Sequence, residues 1–255
     1  MSESLDVRQD QATDGRRDAR GGWGAQVVVP ARGAAGKTRL EAPAGVDHAR
    51  LARALALDTV AAAQRARRVR GIVLVTPDSA LAAALPAGAR AVEEPLGADV
   101  PSPGADARSA EPRLLAAVRA GLASCSVDAP AAVLLGDLPA LRTWELDEAL
   151  SHARDAIERP ADHPDAGGPH AVAAFVPDAF GTGTVLLVGA TPGDLDPAFG
   201  RGSAAAHERV AIRLSGPWPG LRTDVDTAYD LLAALSLGVG SHTSAALRNS
   251  AHGTT

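Results

Sequence analysis

Two kinds of hydrophobic pattern alternate along this chain between residues 25 and 240. Short runs of Val, Leu, Ile and Ala are typical of buried strands, whereas alanine-rich stretches with apolar residues every three or four positions are typical of helices. The short runs predict strands near residues 25–30, 71–76, 89–93, 131–136, 171–176, 184–189 and 210–214. The alanine-rich stretches predict helices near residues 47–67, 110–123, 143–157, 203–208 and 227–237. Because strands alternate with helices, we expect an α/β fold with a mostly parallel sheet covered by helices on both faces.

The same pattern predicts where the folded domain begins and ends. Residues 1–24 and 241–255 offer few apolar side chains to bury, which predicts a disordered N-terminal segment and a flexible C-terminal tail. Residues 25–240 are then expected to form a single domain. Within that domain, the segment from His152 to His170 is rich in proline, glycine and histidine, so we expect a loop or a partly disordered insertion. Its histidines lack the spacing of a metal site.

Composition limits the classes of function. The chain has 255 residues, of which 46% are hydrophobic, and this suffices for one large core. A net charge of −5 with scattered basic residues gives neither a nucleic-acid footprint nor attraction to an acidic membrane. No apolar stretch reaches the ~18 residues of a membrane span, and the charged N-terminus is unlike a signal peptide. Cys125 is the single cysteine, which excludes an internal disulfide. We therefore expect a cytoplasmic protein that binds neither nucleic acid nor membrane.

A glycine-rich basic loop follows the first predicted strand. Residues 31–38 read A-R-G-A-A-G-K-T, in which Gly33 and Gly36 allow the backbone to approach an anion, while Lys37 and Arg39 supply positive charge. The same letters fit a permissive P-loop pattern. A P-loop needs its lysine and threonine to open a helix, however, and a proline and a glycine follow soon afterwards. Two kinds of nucleotide enzyme therefore compete, with the P-loop disfavoured.

Acidic residues follow two later elements of the predicted fold. Asp137 comes directly after the strand near 131–136, where it shares the crevice beyond the strand ends with Lys37. Asp137 is either a ligand for a hard cation or the residue that starts the next turn. Asp224 and Asp226 point the same way if their segment is extended, which offers one or both carboxylates to a cation.

Three further signals concern helix starts and anion sites. Thr227 is followed three residues later by an aspartate, which predicts a capping box at the start of the last helix. The string G-T-G-T at 181–184 presents backbone N–H groups and hydroxyls to an anion, or is simply a turn that enters a strand. In F-G-R-G-S at 199–203, Ser203 either caps the short helix that follows or contributes to an anion site.

Taken in order, these segments resemble one enzyme family. The strings K-T-R-L, G-D-L-P-A-L, G-T-G-T, F-G-x-G-S and W-P-G-L-R-x-D-V-D-T match the guanylyltransferases of coenzyme F-420 biosynthesis, which make a guanosine diphospho-linked three-carbon acid. The resemblance extends over nearly all of residues 27–240. It implies a single-domain, Rossmann-like α/β/α sandwich of the GT-A-like nucleotidyltransferase class. The glycine-rich first loop and the long insertion at 152–170 depart from the family pattern.

The resemblance also implies roles for individual residues. Asp137 and Asp226 match the carboxylates that hold catalytic Mg²⁺, with two ions expected, and together with Lys37 and Arg39 they form the expected catalytic set. The nucleotide phosphates are expected on Gly36, Lys37 and Arg39. The residues that match the binding site of the phosphorylated acid are Thr184, Gly200 and Ser203.

The implied reaction joins GTP to a three-carbon phosphorylated acid, phosphoenolpyruvate or 2-phospho-L-lactate. The phosphate of the acid attacks the α-phosphorus of GTP in line and expels pyrophosphate, which requires no general base because the nucleophile is already ionised. The Ala, Arg and Gly bias indicates a high-GC actinobacterial source, for which the family relationship favours phosphoenolpyruvate and the product enolpyruvyl-2-diphospho-5'-guanosine. The instability of that product predicts handover to the next transferase of the pathway. The alternatives are a P-loop ATPase, which needs no acid, and a catalytically inactive binding protein.

Overall fold

One seven-stranded sheet forms the centre of the computed structural model, which describes residues 23–95, 107–158 and 172–248. The strands are β1 (Ala25–Pro30), β2 (Val69–Thr76), β3 (Ala89–Glu93), β4 (Ala131–Leu134), β5 (Ala173–Pro177), β6 (Thr184–Gly189) and β7 (Ile212–Arg213). Their order across the sheet is β3-β2-β1-β4-β6-β5-β7. β6 pairs antiparallel with both of its neighbours, while the other strand pairs are parallel. The predicted α/β fold with a mostly parallel sheet is confirmed.

Helices cover both faces of this sheet. They are α1 (His48–Arg65), α2 (Ser79–Ala83), α3 (Ala107–Ala123), α4 (Thr143–Ile157), α5 (Ser203–His207), α6 (Pro219–Arg222), α7 (Ala228–Leu237) and α8 (Ser241–Arg248). α1 and α4 pack into the hydrophobic cluster on one face, and α3 packs into the cluster on the other. In β1, Val27 and Val29 face the first cluster while Val28 faces the second, and all three are fully buried. A strand buried on both faces is apolar at successive positions, which accounts for the uninterrupted valine run of β1.

The loop after β1 does not have the geometry of a P-loop. Gly33–Gly36 forms a short 3₁₀ turn, and Lys37 follows it outside any helix. The next helix is α1, whose first turn is capped by Asp47, because the side chain of Asp47 accepts a hydrogen bond from the backbone N–H of Arg50. A P-loop lysine and threonine would open a helix instead. The structure therefore argues against the P-loop alternative.

Most predicted elements lie where the sequence placed them. β3, β6 and α4 have the predicted bounds, while β4 ends at Leu134 and β7 contracts to two residues. The capping box that was predicted at Thr227 is present at the start of α7. The short helices α2 and α6 were not predicted.

The C-terminal region differs from the prediction. The chain continues past residue 240 into α8, which packs against α1, so the expected flexible tail is wrong for residues 241–248. The loop predicted to begin at His152 is wrong for residues 152–157, because these residues belong to α4. Residues 1–22, 96–106, 159–171 and 249–255 lie outside the described residues, as do the predictions made for them. In the part of the chain that is described, no helix is long and apolar enough to cross a membrane.

Candidate active site

A lysine joins two carboxylates beyond the ends of β1 and β4. The ammonium group of Lys37 lies between Asp137 and Asp226, donating to Asp137 Oδ2 and, at 2.7 Å, to Asp226 Oδ1. Arg39 Nη2 donates to the other oxygen of Asp226 at 2.5 Å. The side chains of Lys37 and Asp137 are 13% and 14% exposed, whereas Arg39 is 67% exposed. The four residues predicted as the catalytic set thus form one ion-pair network, which is mostly buried at Lys37 and Asp137 and open to solvent at Arg39.

The backbone around Asp137 is held from three directions. Gly136 packs so closely on the end of β1 that a Cβ atom there would lie 2.9 Å from the carbonyl oxygen of Pro30. The N–H of Leu138 donates to the hydroxyl of Thr59, a buried residue of α1, at 2.9 Å. The N–H of Val225 donates to the carbonyl oxygen of Asp137 at 3.0 Å. This last bond brings the segment with Asp226 against the end of β4.

The charges in the network shift the pKa values of its members. Burial opposes the charge on Lys37, but the carboxylates of Asp137 and Asp226 outweigh burial and raise the pKa of the lysine above its ordinary value. Burial likewise acts to raise the pKa of Asp226, but Lys37 and Arg39 outweigh it and lower that pKa. Lys37 is therefore a permanent cation, and Asp226 a permanent anion, at neutral pH.

Two other carboxyl groups at the site have pKa values above the ordinary value of a carboxyl group. Burial raises the pKa of Asp137 even though Lys37 opposes the shift. Burial, followed by the charges of Asp137 and Asp226, raises the pKa of Asp224 to about 7. Among the described residues, the cluster therefore contains three carboxyl groups, those of Asp137, Asp224 and Asp226, but only one lysine and one arginine that pair with them.

The donor set fits a divalent cation that also binds a substrate. Asp137 Oδ1 is buried and has no hydrogen-bond partner among the described residues, and neither carboxylate oxygen of Asp137 caps the turn that follows it. An unpaired buried carboxylate oxygen is costly unless something positive meets it. No group of three or more His, Cys, Asp or Glu side chains forms a ready metal cage in the described ranges. Mg²⁺ commonly uses one or two carboxylates and completes its shell with water and phosphate oxygens, which this arrangement permits.

The three residues predicted to bind the acid form a second group. Thr184 is the first residue of β6, and its hydroxyl lies 2.8 Å from Nδ1 of His207 in α5. The backbone N–H of Ala204 donates to the carbonyl oxygen of Thr182, which ties the start of α5 to the G-T-G-T loop. Gly200 has a φ of 133°, a conformation that favours glycine, and its carbonyl oxygen accepts the N–H of Ser203. The fold therefore brings Thr184, Gly200 and Ser203 into one region.

Two features of this region differ from the sequence interpretation. The N–H groups of Thr182 and Gly183 donate to the carboxylate of Asp178 at 2.9 and 2.8 Å, so these two N–H groups of the G-T-G-T loop are used internally. Ser203 does not cap α5, because the N-cap position is held by Gly202 in a left-handed conformation. The Ser203 side chain is nevertheless buried. Capping thus does not explain why a serine stands at this position.

Strand pairing places the second group beside the first. Leu134 of β4 pairs with Leu186 of β6, and the next residue, Leu135, donates its N–H to the carbonyl oxygen of Val185 at 3.0 Å. Because the strands are antiparallel, the same register sets Thr184 next to Gly136. The Thr184 region and the Asp137 network therefore share one edge of the sheet.

The sequence is similar to curated enzymes along most of its length. It is 44% identical to the phosphoenolpyruvate guanylyltransferase of Geodermatophilus obscurus over 237 residues, a match that covers 89% of this chain and 96% of the relative. It is 41% identical to the enzyme of the same name from Mycobacterium marinum over 230 residues, covering 88% and 93% of the two chains. This chain belongs to the phosphoenolpyruvate guanylyltransferase family. It matches no protein-family model.

The fold of this guanylyltransferase family member also resembles solved structures. One from Desulfovibrio desulfuricans, named as a candidate nucleotide-diphospho-sugar transferase, aligns with a TM-score of 0.52 at 16% identity and covers 88% of this chain and 94% of the other. At such low identity the similarity concerns the fold alone. It agrees with the GT-A-like α/β architecture that the sequence predicted.

Several residues that shape the candidate site were missed in the sequence. Thr59 holds the loop after Asp137, Asp178 organises the G-T-G-T loop, and His207 contacts Thr184. Glu94, at the end of β3, pairs with Nε of Arg32 at 2.9 Å beside the glycine-rich loop. Asp178 had a local signal, since an aspartate before a glycine-rich turn often accepts its N–H groups. The other three act on residues far away in the chain, so no local pattern marks them.

Proposed function

We propose that this chain transfers GMP from GTP to the phosphate of phosphoenolpyruvate, giving enolpyruvyl-2-diphospho-5'-guanosine for coenzyme F-420 biosynthesis. Relatives at 44% and 41% identity are named for phosphoenolpyruvate guanylyl transfer. The observation that carries the proposal is the ion-pair network beyond the strand ends, in which the mostly buried ammonium group of Lys37 lies between the carboxylates of Asp137 and Asp226. Ligands of open α/β sheets bind at this position.

The reaction forms one phosphorus–oxygen bond and breaks another. A phosphate oxygen of phosphoenolpyruvate attacks the α-phosphorus of GTP, and the bond from that phosphorus to the β-phosphate bridging oxygen breaks. Pyrophosphate leaves with the bonding electrons. Because the attacking oxygen is already anionic, no side chain has to remove a proton. Catalysis then depends on bringing two anions together and on stabilising the charge that moves to the leaving group.

Basic residues of the first loop suit the nucleotide. The pKa of Lys37 is raised, so this side chain stays charged when it meets a phosphate oxygen. Arg39 is largely exposed and can turn from Asp226 toward a triphosphate, to which a guanidinium can donate two parallel hydrogen bonds. A Cβ atom at Gly36 would lie 3.0 Å from the Cβ atom of Arg32, so this part of the loop is compact. We assign the GTP phosphates to Gly36, Lys37 and Arg39.

Asp137 and Asp226 suit magnesium. The unpaired, buried Oδ1 of Asp137 is a ready anionic donor, and Asp226 offers both of its oxygens once Lys37 and Arg39 move to phosphate. Bound Mg²⁺ would neutralise the phosphates and stabilise the charge of the leaving group. Two ions would be expected for a transfer between two phosphates. Asp224 lies near enough to Asp137 and Asp226 to interact electrostatically with both carboxylates.

The second group of residues suits the acid. Thr184, Gly200 and Ser203 lie at the same sheet edge as Asp137, so an acid held there would present its phosphate toward the nucleotide. GTP and phosphoenolpyruvate are metabolites of the cytoplasm, where we place the reaction. The reactive product would then pass to the transferase that consumes it.

The decisive experiment measures pyrophosphate release. Purified protein is incubated with GTP and Mg²⁺ and with phosphoenolpyruvate, 2-phospho-L-lactate or no acid. We expect release that requires phosphoenolpyruvate. Release only with 2-phospho-L-lactate would move the assignment to that acid, and nucleotide hydrolysis without any acid would overturn guanylyl transfer. Absence of turnover with both acids would favour a binding role.

A variant pair tests the site itself. Asp226→Ala removes one carboxylate of the network and should abolish turnover while the protein remains folded. Asp155→Ala is the matched control, because Asp155 is an exposed carboxylate on α4 that pairs with its neighbour Arg154. Normal turnover by folded Asp226→Ala protein would remove this residue from the catalytic set.

A further inference from the structure

His207 is a fully buried histidine beside the proposed acid site. Its ring packs between Phe175 and Phe199, with ring centroids at 5.8 and 5.2 Å. Nε2 lies 3.0 Å from the backbone nitrogen of Ala198, and Nδ1 lies 2.8 Å from the hydroxyl oxygen of Thr184. Both ring nitrogens are therefore hydrogen-bonded, Nε2 to a backbone N–H group and Nδ1 to a side-chain hydroxyl.

The backbone contact fixes the tautomer of the ring. An N–H group of the backbone can only donate, so Nε2 must accept from Ala198 and carries no proton. Burial lowers the pKa of His207 to about 4, which keeps the ring neutral at physiological pH. A neutral imidazole has one proton, and it therefore lies on Nδ1. Nδ1–H donates to Thr184.

This direction decides what Thr184 can offer to a ligand. A threonine hydroxyl has one proton to donate and two lone pairs to accept with. Because Nδ1–H occupies a lone pair, the hydroxyl proton of Thr184 is not spent on the histidine. Among the described residues, the hydrogen-bond partner of this hydroxyl is His207. Carboxylates and phosphates only accept hydrogen bonds, so a hydroxyl that meets them must donate.

We propose that His207 is a positioning residue for the acid substrate. Ala198 N–H donates to Nε2 of the ring, and Nδ1–H donates to the hydroxyl oxygen of Thr184. The proton of the Thr184 hydroxyl is thereby left to be donated to the anion. The proposal rests on the proposed function, in which Thr184 binds phosphoenolpyruvate. With the opposite tautomer, Thr184 would give its proton to the ring and turn only lone pairs toward an anionic substrate. The ring itself does not touch the substrate.

Kinetics of a double-mutant cycle test this role. The variants are Thr184→Val, His207→Phe and the double variant, each checked for folding by thermal unfolding. We expect each single variant to raise the KM for phosphoenolpyruvate about tenfold, as for loss of one hydrogen bond to a charged group, while the KM for GTP stays within about twofold. The double variant should be no worse than Thr184→Val, because His207 acts through Thr184.

His207→Asn provides a milder test if the phenylalanine variant does not fold. Its amide can place an N–H close to the position of Nδ1, so we expect the KM for phosphoenolpyruvate to lie nearer to the wild-type value than in His207→Phe or, if that variant fails to fold, than in Thr184→Val. Equal rises in the KM for GTP and for the acid would show a merely structural role and overturn the proposal. So would multiplicative effects of the two single variants.

The tautomer can be observed without turnover. In protein labelled with ¹⁵N-histidine, the ring signals of His207 are identified by their loss in a substituted variant, and their shifts show which nitrogen carries the proton. A proton on Nδ1 at neutral pH supports the proposal, and a proton on Nε2 overturns it. If wild-type protein gives no pyrophosphate with either acid, the proposed function fails. If the wild type is active but substitution of His207 leaves the KM for the acid unchanged, only this inference fails.

Discussion

Lys37 both balances two carboxylates and competes with any metal that binds them. Replacing Lys37 by Met keeps a flexible chain of similar volume and removes the charge, which leaves Asp137 buried beside Asp226 without its main counter-charge. Removal of one partner from a buried ion pair costs about 3–5 kcal/mol. Because the side chains of Lys37 and Asp137 retain 13% and 14% exposure, we expect a loss near the lower end, about 3 kcal/mol.

Magnesium should restore most of that loss. A ligand at about 100 times its Kd stabilises a protein by about 2.7 kcal/mol, and in Lys37→Met the carboxylates are no longer shared with an ammonium group. A domain of this size changes its Tm by about 2–4 °C for each kcal/mol, so the variant should melt about 6–12 °C below wild type without added Mg²⁺. Turnover should be lost even when Mg²⁺ restores stability, because the proposed role of Lys37 toward phosphate is gone.

Calorimetry with and without Mg²⁺ measures both effects. Arg154→Met is the matched control, since Arg154 pairs with the exposed Asp155 and its loss should change stability by less than about 0.5 kcal/mol. The double variant Lys37→Met/Asp137→Asn should recover stability without metal, because no uncompensated charge remains. A Lys37→Met protein that is as stable as the control and insensitive to Mg²⁺ would refute the reasoning.

Three further predictions concern the frame of the site. Asp58→Ala removes the carboxylate that caps α8, so we expect a loss of about 1–3 kcal/mol and faster hydrogen exchange in residues 241–248, with Asp155→Ala as an unaffected control. Gly136→Ala should push the end of β4 away from Pro30, which we expect to lower both unfolding free energy, by about 1–3 kcal/mol, and kcat/KM. The pKa of His207 falls from 6.5 to about 4 on folding, so below pH 6.5 the unfolded chain binds the proton and stability is lost as pH falls. The unfolding free energy should drop by about 2 kcal/mol more between pH 7 and pH 5 in wild type than in His207→Phe, measured by urea denaturation.

Predictions from the sequence succeeded where the cause of the structure is local. β1 is apolar at successive positions because both of its faces are buried, and that pattern is visible in six residues. The start of α7 was predicted because Thr227 and Asp230 lie three residues apart and bond to one another. Asp137 was predicted to lie in the ligand crevice because residues that follow parallel strands lie beyond the carboxyl ends of those strands, where ligands bind.

Predictions failed where a distant residue supplies the stabilising contact. α8 was taken for a flexible tail, since its own sequence has little to bury and no strong cap. The cap comes from Asp58 in α1, whose carboxylate accepts the N–H groups of His242 and Thr243 at 2.9 and 2.8 Å. Ser203 was weighed as a cap from its residue type, but the preceding glycine takes that position with a φ of 72°. Neither the cap from Asp58 nor the left-handed conformation of Gly202 can be predicted from the neighbouring residues in the sequence.

Two neighbouring residues of α1 connect the tail of the domain to its active-site loop. Thr59 donates to the carbonyl oxygen of Leu55 and accepts the N–H of Leu138, so its single hydroxyl fixes the residue after Asp137. Asp58, one position earlier on the same helix, holds the start of α8. A shift of α1 would therefore move a proposed magnesium ligand and the C-terminal helix together. This coupling gives a physical reason for a polar pair on the buried face of α1, and it explains why α8 belongs to the folded domain.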